Sequence, residues 1–211
     1  MDLIPLFLGL VVTGIIVGIL VILSHPPKGQ ATSDSKETIE GTNFIPSQMF
    51  MGTDGLSGLA VNERTRKICL LKSPSSAPQL LPITDLIGSY LIKNGQSEGE
   101  GKRSYPKEIV TFSNELQRKK DALIKSLHMD ATHGPSHRID LLVVVHDQDN
   151  PFHVVNFLDM KTKEGGILFE KAMSTAIHWH YVLDGLILQA DQLAQLQAVP
   201  TQEKDMAETA P

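Results

Sequence analysis

Residues Ile4 to Leu23, IPLFLGLVVTGIIVGILVIL, are twenty in a row without a charged side chain. At about 1.5 Å rise per residue, a helix of that length reaches roughly 30 Å, the thickness of a bilayer's hydrocarbon core. The run therefore predicts a transmembrane anchor over residues 1–23. A cleaved secretory signal needs a basic start, a shorter apolar stretch and a small-residue cleavage site. Here Asp2 takes the place of the basic start, the run is too long, and the SHPPKG that follows offers no A-x-A pattern, so the reading is an uncleaved signal-anchor. No Lys or Arg precedes the run, whereas Lys28 and Lys36 follow it. The positive-inside rule then places a single-pass protein in the inner (cytoplasmic) membrane with its C-terminal domain in the cytoplasm. Gly14 and Gly18 form a GxxxG pair, which removes bulk from one helix face and makes a homodimer through the span a candidate.

The formal net charge is −5, from 19 basic and 24 acidic side chains. That mildly acidic balance argues against a nucleic-acid-binding surface over much of the protein. A single cysteine, Cys69, excludes an intrachain disulfide framework and any multi-cysteine zinc or iron–sulfur site. Its ICLL setting reads as a buried, inert thiol.

Beyond the anchor, residues 24–47 carry Pro26, Pro27, Gly29, Gly41 and the polar stretch TSDSKET, with too few apolar residues for a core. They read as a flexible linker with a root-mean-square span of roughly 25 to 30 Å. One domain follows over residues 48–193. Apolar runs at 56–61 and 68–71 flank NERTRK and predict a hairpin, and LLPI at 80–83 and LIGSYLI at 86–92 add two short strands. Gln96 to Lys102 reads as a Gly- and Ser-rich surface loop, and EIVTF at 108–112 as a strand. Ser113 or Asn114 is the expected cap of an amphipathic helix ending near His128, with Leu116, Leu123, Ile124 and Leu127 inward and Arg118, Lys119 and Lys120 outward. IDLLVVVH at 139–146 and FHVVNFL at 152–158, joined by DQDNP, predict a hairpin. A long helix over about 168–193 has Trp179 as its largest core anchor, and residues 194–211 read as a disordered tail. Short strands and a one-faced helix bury their apolar sides only by packing together, so the fold class is α+β.

The order GLSGLAVNERTRKICLL, ITDLIGSYLIKNG, IDLLVVVHDQDNPFHVVNFL and then a helix with alanines and one tryptophan resembles bacterial membrane-anchored hypothetical proteins that carry a PH-like domain, over about residues 50–189. The resemblance implies a bent antiparallel sheet or barrel closed by a C-terminal helix, with a binding or scaffolding role and no shared active site. Residues 113–137 depart from that pattern as an insertion.

His128, His133 and His137 with Asp130 put imidazole and carboxylate donors within ten residues, the raw material of a metal site, although the spacing matches no strong zinc motif. His178 and His180, two apart on a helix, point about 200° from each other and cannot share a ligand. Arg64, Arg66 and Lys67, and separately Arg118, Lys119, Lys120 and Lys125, are candidate contacts for anionic lipid or a protein partner, since each cation near a charged bilayer contributes about 1 kcal/mol. Ser57 in GLSG lacks a nucleophile elbow, no phosphate-binding glycine loop is present, and Asp140, Asp147, Asp149 and Asp159 read as turn and edge residues. No cofactor is expected. The function this supports is a membrane-anchored interaction module binding an unidentified protein partner or the membrane surface; the alternative is a metal-dependent hydrolase built on residues 128–137.

Overall fold

The computed structural model describes residue 39 and residues 43–72, 77–127 and 136–198, all within one compact unit, Glu37–Pro211. The run Ile4–Leu23, with Gly14 and Gly18, lies outside them, as do His128, Asp130 and His133. Among the described residues no helix is long and apolar enough to cross a membrane.

The fold is α+β. Strands β1 (Gln48–Met51), β2 (Gly58–Asn62), β3 (Lys67–Leu71) and β4 (Gln79–Pro82) form an antiparallel sheet in sequence order. A 3-10 turn, Ile83–Asp85, leads to the second sheet, whose order is β6 (Gln96–Lys102), β5 (Leu86–Lys93), β7 (Ser136–Val145), β8 (Phe152–Lys161). Helix α1 (Lys107–Ser126) carries the chain from β6 across one face of that sheet to β7, and α2 (Ile167–Ala198) follows β8.

Period-two alternation decides which side chains meet. Leu59, Val61, Ile68 and Leu70 point inward from the first sheet and Ile139, Leu141, Val143 and Val145 from the second; with Phe169, Ala176, Trp179, Leu183 and Ile187 of α2 they make the principal core. Trp179 is buried there, as its sequence setting predicts, with Phe50 beside it and Phe50 stacked on Phe157 at 4.1 Å. The opposite face of the second sheet, Ile92, Leu142 and Val144 among others, packs under Ile109, Leu116, Ile124 and Leu127 of α1. A small third cluster, Phe44 with Ala60 and Cys69, lies on the outer face of the first sheet.

Five expectations are corrected. EIVTF is helical: α1 begins at Lys107 directly after Pro106, and Ile109 and Phe112, three apart, share one face with Leu116. Ser113 and Asn114 are therefore interior, and neither is the cap. Gln96–Lys102 is not a loop but the edge strand β6, paired with β5. Its glycines let α2 lie close: a Cβ on Gly99 would stand 2.9 Å from His180 Nε2, and one on Gly101 2.5 Å from Asp184 Oδ1. Phe44, assigned to the linker, is buried against Ala60 and Cys69. Finally, α2 extends to Ala198, past the expected start of the tail.

The helix is locked at its far end by an ion pair that hydropathy does not reveal. Arg103 and Asp191 are both buried and joined through Nε and Oδ1. The guanidinium also donates to the carbonyls of Tyr105 at 2.7 Å and Thr84 at 2.8 Å, and the carboxylate accepts from Ser104 N at 2.8 Å, Ser104 Oγ at 2.7 Å and Tyr105 N at 3.1 Å. Burial pushes the Asp191 carboxyl up, but the Ser104 hydrogen bonds and the guanidinium outweigh it and hold its pKa below the ordinary value. The network pins α2 to the 3-10 turn and to the end of β6 at once.

Candidate functional site

The turn between β1 and β2 carries the first polar constellation. Asp54 accepts from Leu56 N and Ser57 N, both at 3.0 Å, and from Ser57 Oγ at 2.9 Å. Ser57 Oγ in turn accepts from Asn156 N at 3.1 Å, while Thr53 donates through Oγ1 to Asn156 Oδ1 and through its N–H to the Asn156 carbonyl at 2.9 Å. Asn156 Nδ2 donates to Asp140 Oδ1 at 2.9 Å, and Arg138 Nε to Asp140 Oδ2 at 2.7 Å; Arg138 Nη1 reaches Asp159 at 3.3 Å. Burial drives the Asp140 pKa up, against the opposing hydrogen bonds from Arg138 and Asn156, so Asp140 is a core carboxylate and not the turn or edge residue its sequence setting suggested.

This cluster gathers Asp54, Asp140 and Asp159, but it already holds its own cation. The Arg138 guanidinium bridges Asp140 and Asp159, where a metal would have to sit to use both. Ser57 is consumed by Asp54 and Asn156 and has no histidine partner. The network clips the first sheet to β8, and its chemistry is structural.

A cleft of about 590 Å³ opens beside it, lined by His137, Lys161, Thr162, Lys163 and Glu164. His137 Nδ1 faces Asn94 Nδ2 at 3.3 Å, and its ring lies edge-on to Phe169 at 5.2 Å. Lys93 pairs with Glu164 and lies over the Phe169 ring, 5.4 Å from its centroid. The hydrogen bond from Lys93 holds the Glu164 carboxyl below its usual value. Of the four candidate metal ligands only His137 is described, and among the described residues no group of three or more His, Cys, Asp or Glu is placed to hold a metal ion. The described histidines are otherwise separate: His178 is exposed and within 3.0 Å of Gln48, while His180 is buried within 3.0 Å of Ser89, so they diverge as the helical spacing requires. Cys69 is buried, and burial raises its thiol pKa to about 11, as inertness requires.

The basic patch on α1 is smaller than its sequence suggests. Arg118, Lys119 and Lys125 are exposed, but Lys120 is only 6% exposed, with its ammonium 4.1 Å from the centroid of the Tyr90 ring and 3.7 Å from Asp121. Lys120 is thus withdrawn from the lipid-contacting set, because it lies four residues from both Leu116 and Ile124, on the stripe that α1 buries. The exposed cations that remain share the helix surface with Glu108, Glu115 and Asp121.

The outer face of the first sheet is a different kind of surface. Register aligns Met49, Ala60, Cys69 and Leu80 in one cross-strand row and Met51, Gly58 and Leu71 in the next. Phe44 covers the middle, over Ala60 and Cys69, but Met49 is 50%, Met51 44% and Leu80 37% exposed. Arg64, Arg66 and Lys67 are exposed at one end of the β2–β3 hairpin, and Lys72 is exposed at the other. Sequence reasoning missed this face because it left β1 unpaired; the alternation of Met49 and Met51 about Phe50 was the available signal.

Comparison with protein-family models, curated proteins and solved structures finds no match to this chain.

Proposed function

We propose that the protein is a single-pass, membrane-anchored interaction module, with a PH-like domain that binds a protein partner or the membrane surface and is not an enzyme. The observation that carries this reading is the uncharged run Ile4–Leu23 followed by a polar linker, which makes a tethered domain out of everything beyond it. Two antiparallel sheets and a long C-terminal helix support the PH-like reading, with the insertion read over residues 113–137 beginning inside α1. Tethering raises the local concentration of the domain at the bilayer, so modest contacts suffice for occupancy. The lysines after the run favour a cytoplasmic domain at the inner membrane, and Gly14 and Gly18 are the candidate face for a homodimer. A hydrolase built on His128, Asp130, His133 and His137 is less well supported, since the His137 ring is engaged by Asn94 and Phe169.

Extraction tests the anchor. The full chain should stay with cell membranes through an alkaline carbonate wash, while a version lacking residues 1–23 should appear in the soluble fraction. Release of the full chain by the wash would contradict the reading.

A further inference from the structure

We infer that the outer face of the first sheet is the surface the domain lays against an anionic bilayer, an inference that rests on the anchored reading above. Three observations meet on this face. The first is apolar exposure: Met49, Met51 and Leu80 stand out on one face of the sheet, on its two edge strands β1 and β4, where their side chains can enter the headgroup boundary while the outward backbone groups of those edges stay at the polar rim. The second is charge. Arg64, Arg66 and Lys67 at one end of the β2–β3 hairpin flank the apolar rows, and Glu63, their acidic neighbour at the turn, is engaged by Gln48 at 3.0 Å; Lys72, at the other end, has Asp147 of the β7–β8 turn beside it. Apolar residues bordered by cations complement lipid tails bordered by anionic headgroups.

The third observation is where the chain joins the domain. Described structure resumes continuously at Asn43, and Phe44 is packed on this same face, over Ala60 and Cys69. Only about 20 residues separate Leu23 from that point, for which a flexible chain would have a root-mean-square span of roughly 22 to 27 Å, less than a small domain's diameter. A tether that short, attached on one face, brings that face to the bilayer more readily than the α1 surface. The α1 surface also has exposed cations, but they are interspersed with acids, and its apolar stripe is spent on the second sheet.

The experiment uses the full chain reconstituted into vesicles. In a Cys69→Ala background, single cysteines replace Met49, Leu80 or, as a control on α1, Asn114, and each is spin-labelled. Collision with a water-soluble nickel complex and with oxygen is then read in vesicles of phosphatidylcholine containing phosphatidylglycerol and in pure phosphatidylcholine. In the anionic vesicles, labels at 49 and 80 should lose nickel accessibility several-fold and gain oxygen accessibility, while the label at 114 stays aqueous. Replacing Arg64, Arg66 and Lys67 with glutamine should weaken the docked population by about fivefold per charge removed. Labels at 49 and 80 as aqueous as that at 114, in a chain that survives the carbonate wash, would overturn this inference and leave the anchored reading standing. Loss of the chain from the vesicles in the wash would overturn the anchored reading itself. Protection that grows with protein concentration in detergent, without lipid, would overturn the inference in favour of a second copy or a protein partner on this face.

Discussion

Replacing Asp191 with alanine is expected to lower the unfolding free energy by about 3 to 5 kcal/mol, the cost of leaving a buried guanidinium without its counter-charge. Arg103 has no route to water that keeps α2 in place, since its other donors are committed to the carbonyls of Thr84 and Tyr105. The Ser104 and Tyr105 amides would lose their acceptor in the same step. Against a total stability of about 5 to 15 kcal/mol, that loss brings the domain close to unfolding. Urea unfolding of the detergent-solubilised chain checks it. A double variant, Arg103→Met with Asp191→Leu, should recover the part of the loss due to the unpaired guanidinium, but not the part due to the Ser104 and Tyr105 amides, which lose their acceptor in both variants. A loss below about 1 kcal/mol for Asp191→Ala would place the pair among surface ion pairs of little consequence.

His153 should contribute a loss of stability on mild acidification. Burial lowers its pKa to about 4, the nearby Lys72 acts in the same direction, and Asp147 and a hydrogen bond with the Asn150 backbone oppose them. Its Nε2 has no hydrogen-bond partner in the buried site. In the unfolded chain the imidazole titrates near 6.5, so between pH 6.5 and about 4 the unfolded state binds more protons than the folded one. Stability is therefore full above pH 6.5, declines as pH falls through that window, and has lost about 3 kcal/mol to this group by pH 4. Burial lowers the His180 pKa as well and gives the same sign. Asp85 and Asp140, whose pKa values burial raises, act in the opposite direction and offset part of the loss, while Asp54, Asp147 and Asp191, whose pKa values are lowered, begin to cost stability only as pH approaches the ordinary carboxylate range. Unfolding free energy measured against pH should show this slope, and His153→Leu should flatten it. An unchanged slope in that variant would mean that another group governs acid sensitivity.

The parts of this fold that could be read from sequence are those in which hydropathy and backbone period agree. The strands β7 and β8, the β2–β3 hairpin and α2 all have apolar runs whose spacing matches what they pack against. The misses occur where a neighbour made the decision. Strand β6 is polar and glycine-bearing and exists because β5 pairs with it while α2 needs its glycines to come close. Asp191 lies on a helix face with nothing local to mark it, and its partner is 88 residues away. Lys120 could have been placed by spacing alone, four residues from two core positions, but its residue type argued for the surface. The candidate surface was half legible: Arg64, Arg66 and Lys67 stand out in sequence, whereas their conjunction with Met49, Met51 and Leu80 depends on the register of β1, β2, β3 and β4.

The most direct test of the whole account is the N-terminus of the chain as the cell keeps it. Intact-mass and N-terminal analysis of protein recovered from membranes should find the chain still carrying residues 4–23. A mature protein in the soluble fraction beginning at or beyond Ser24 would contradict the account, for then nothing would hold the domain beside a bilayer.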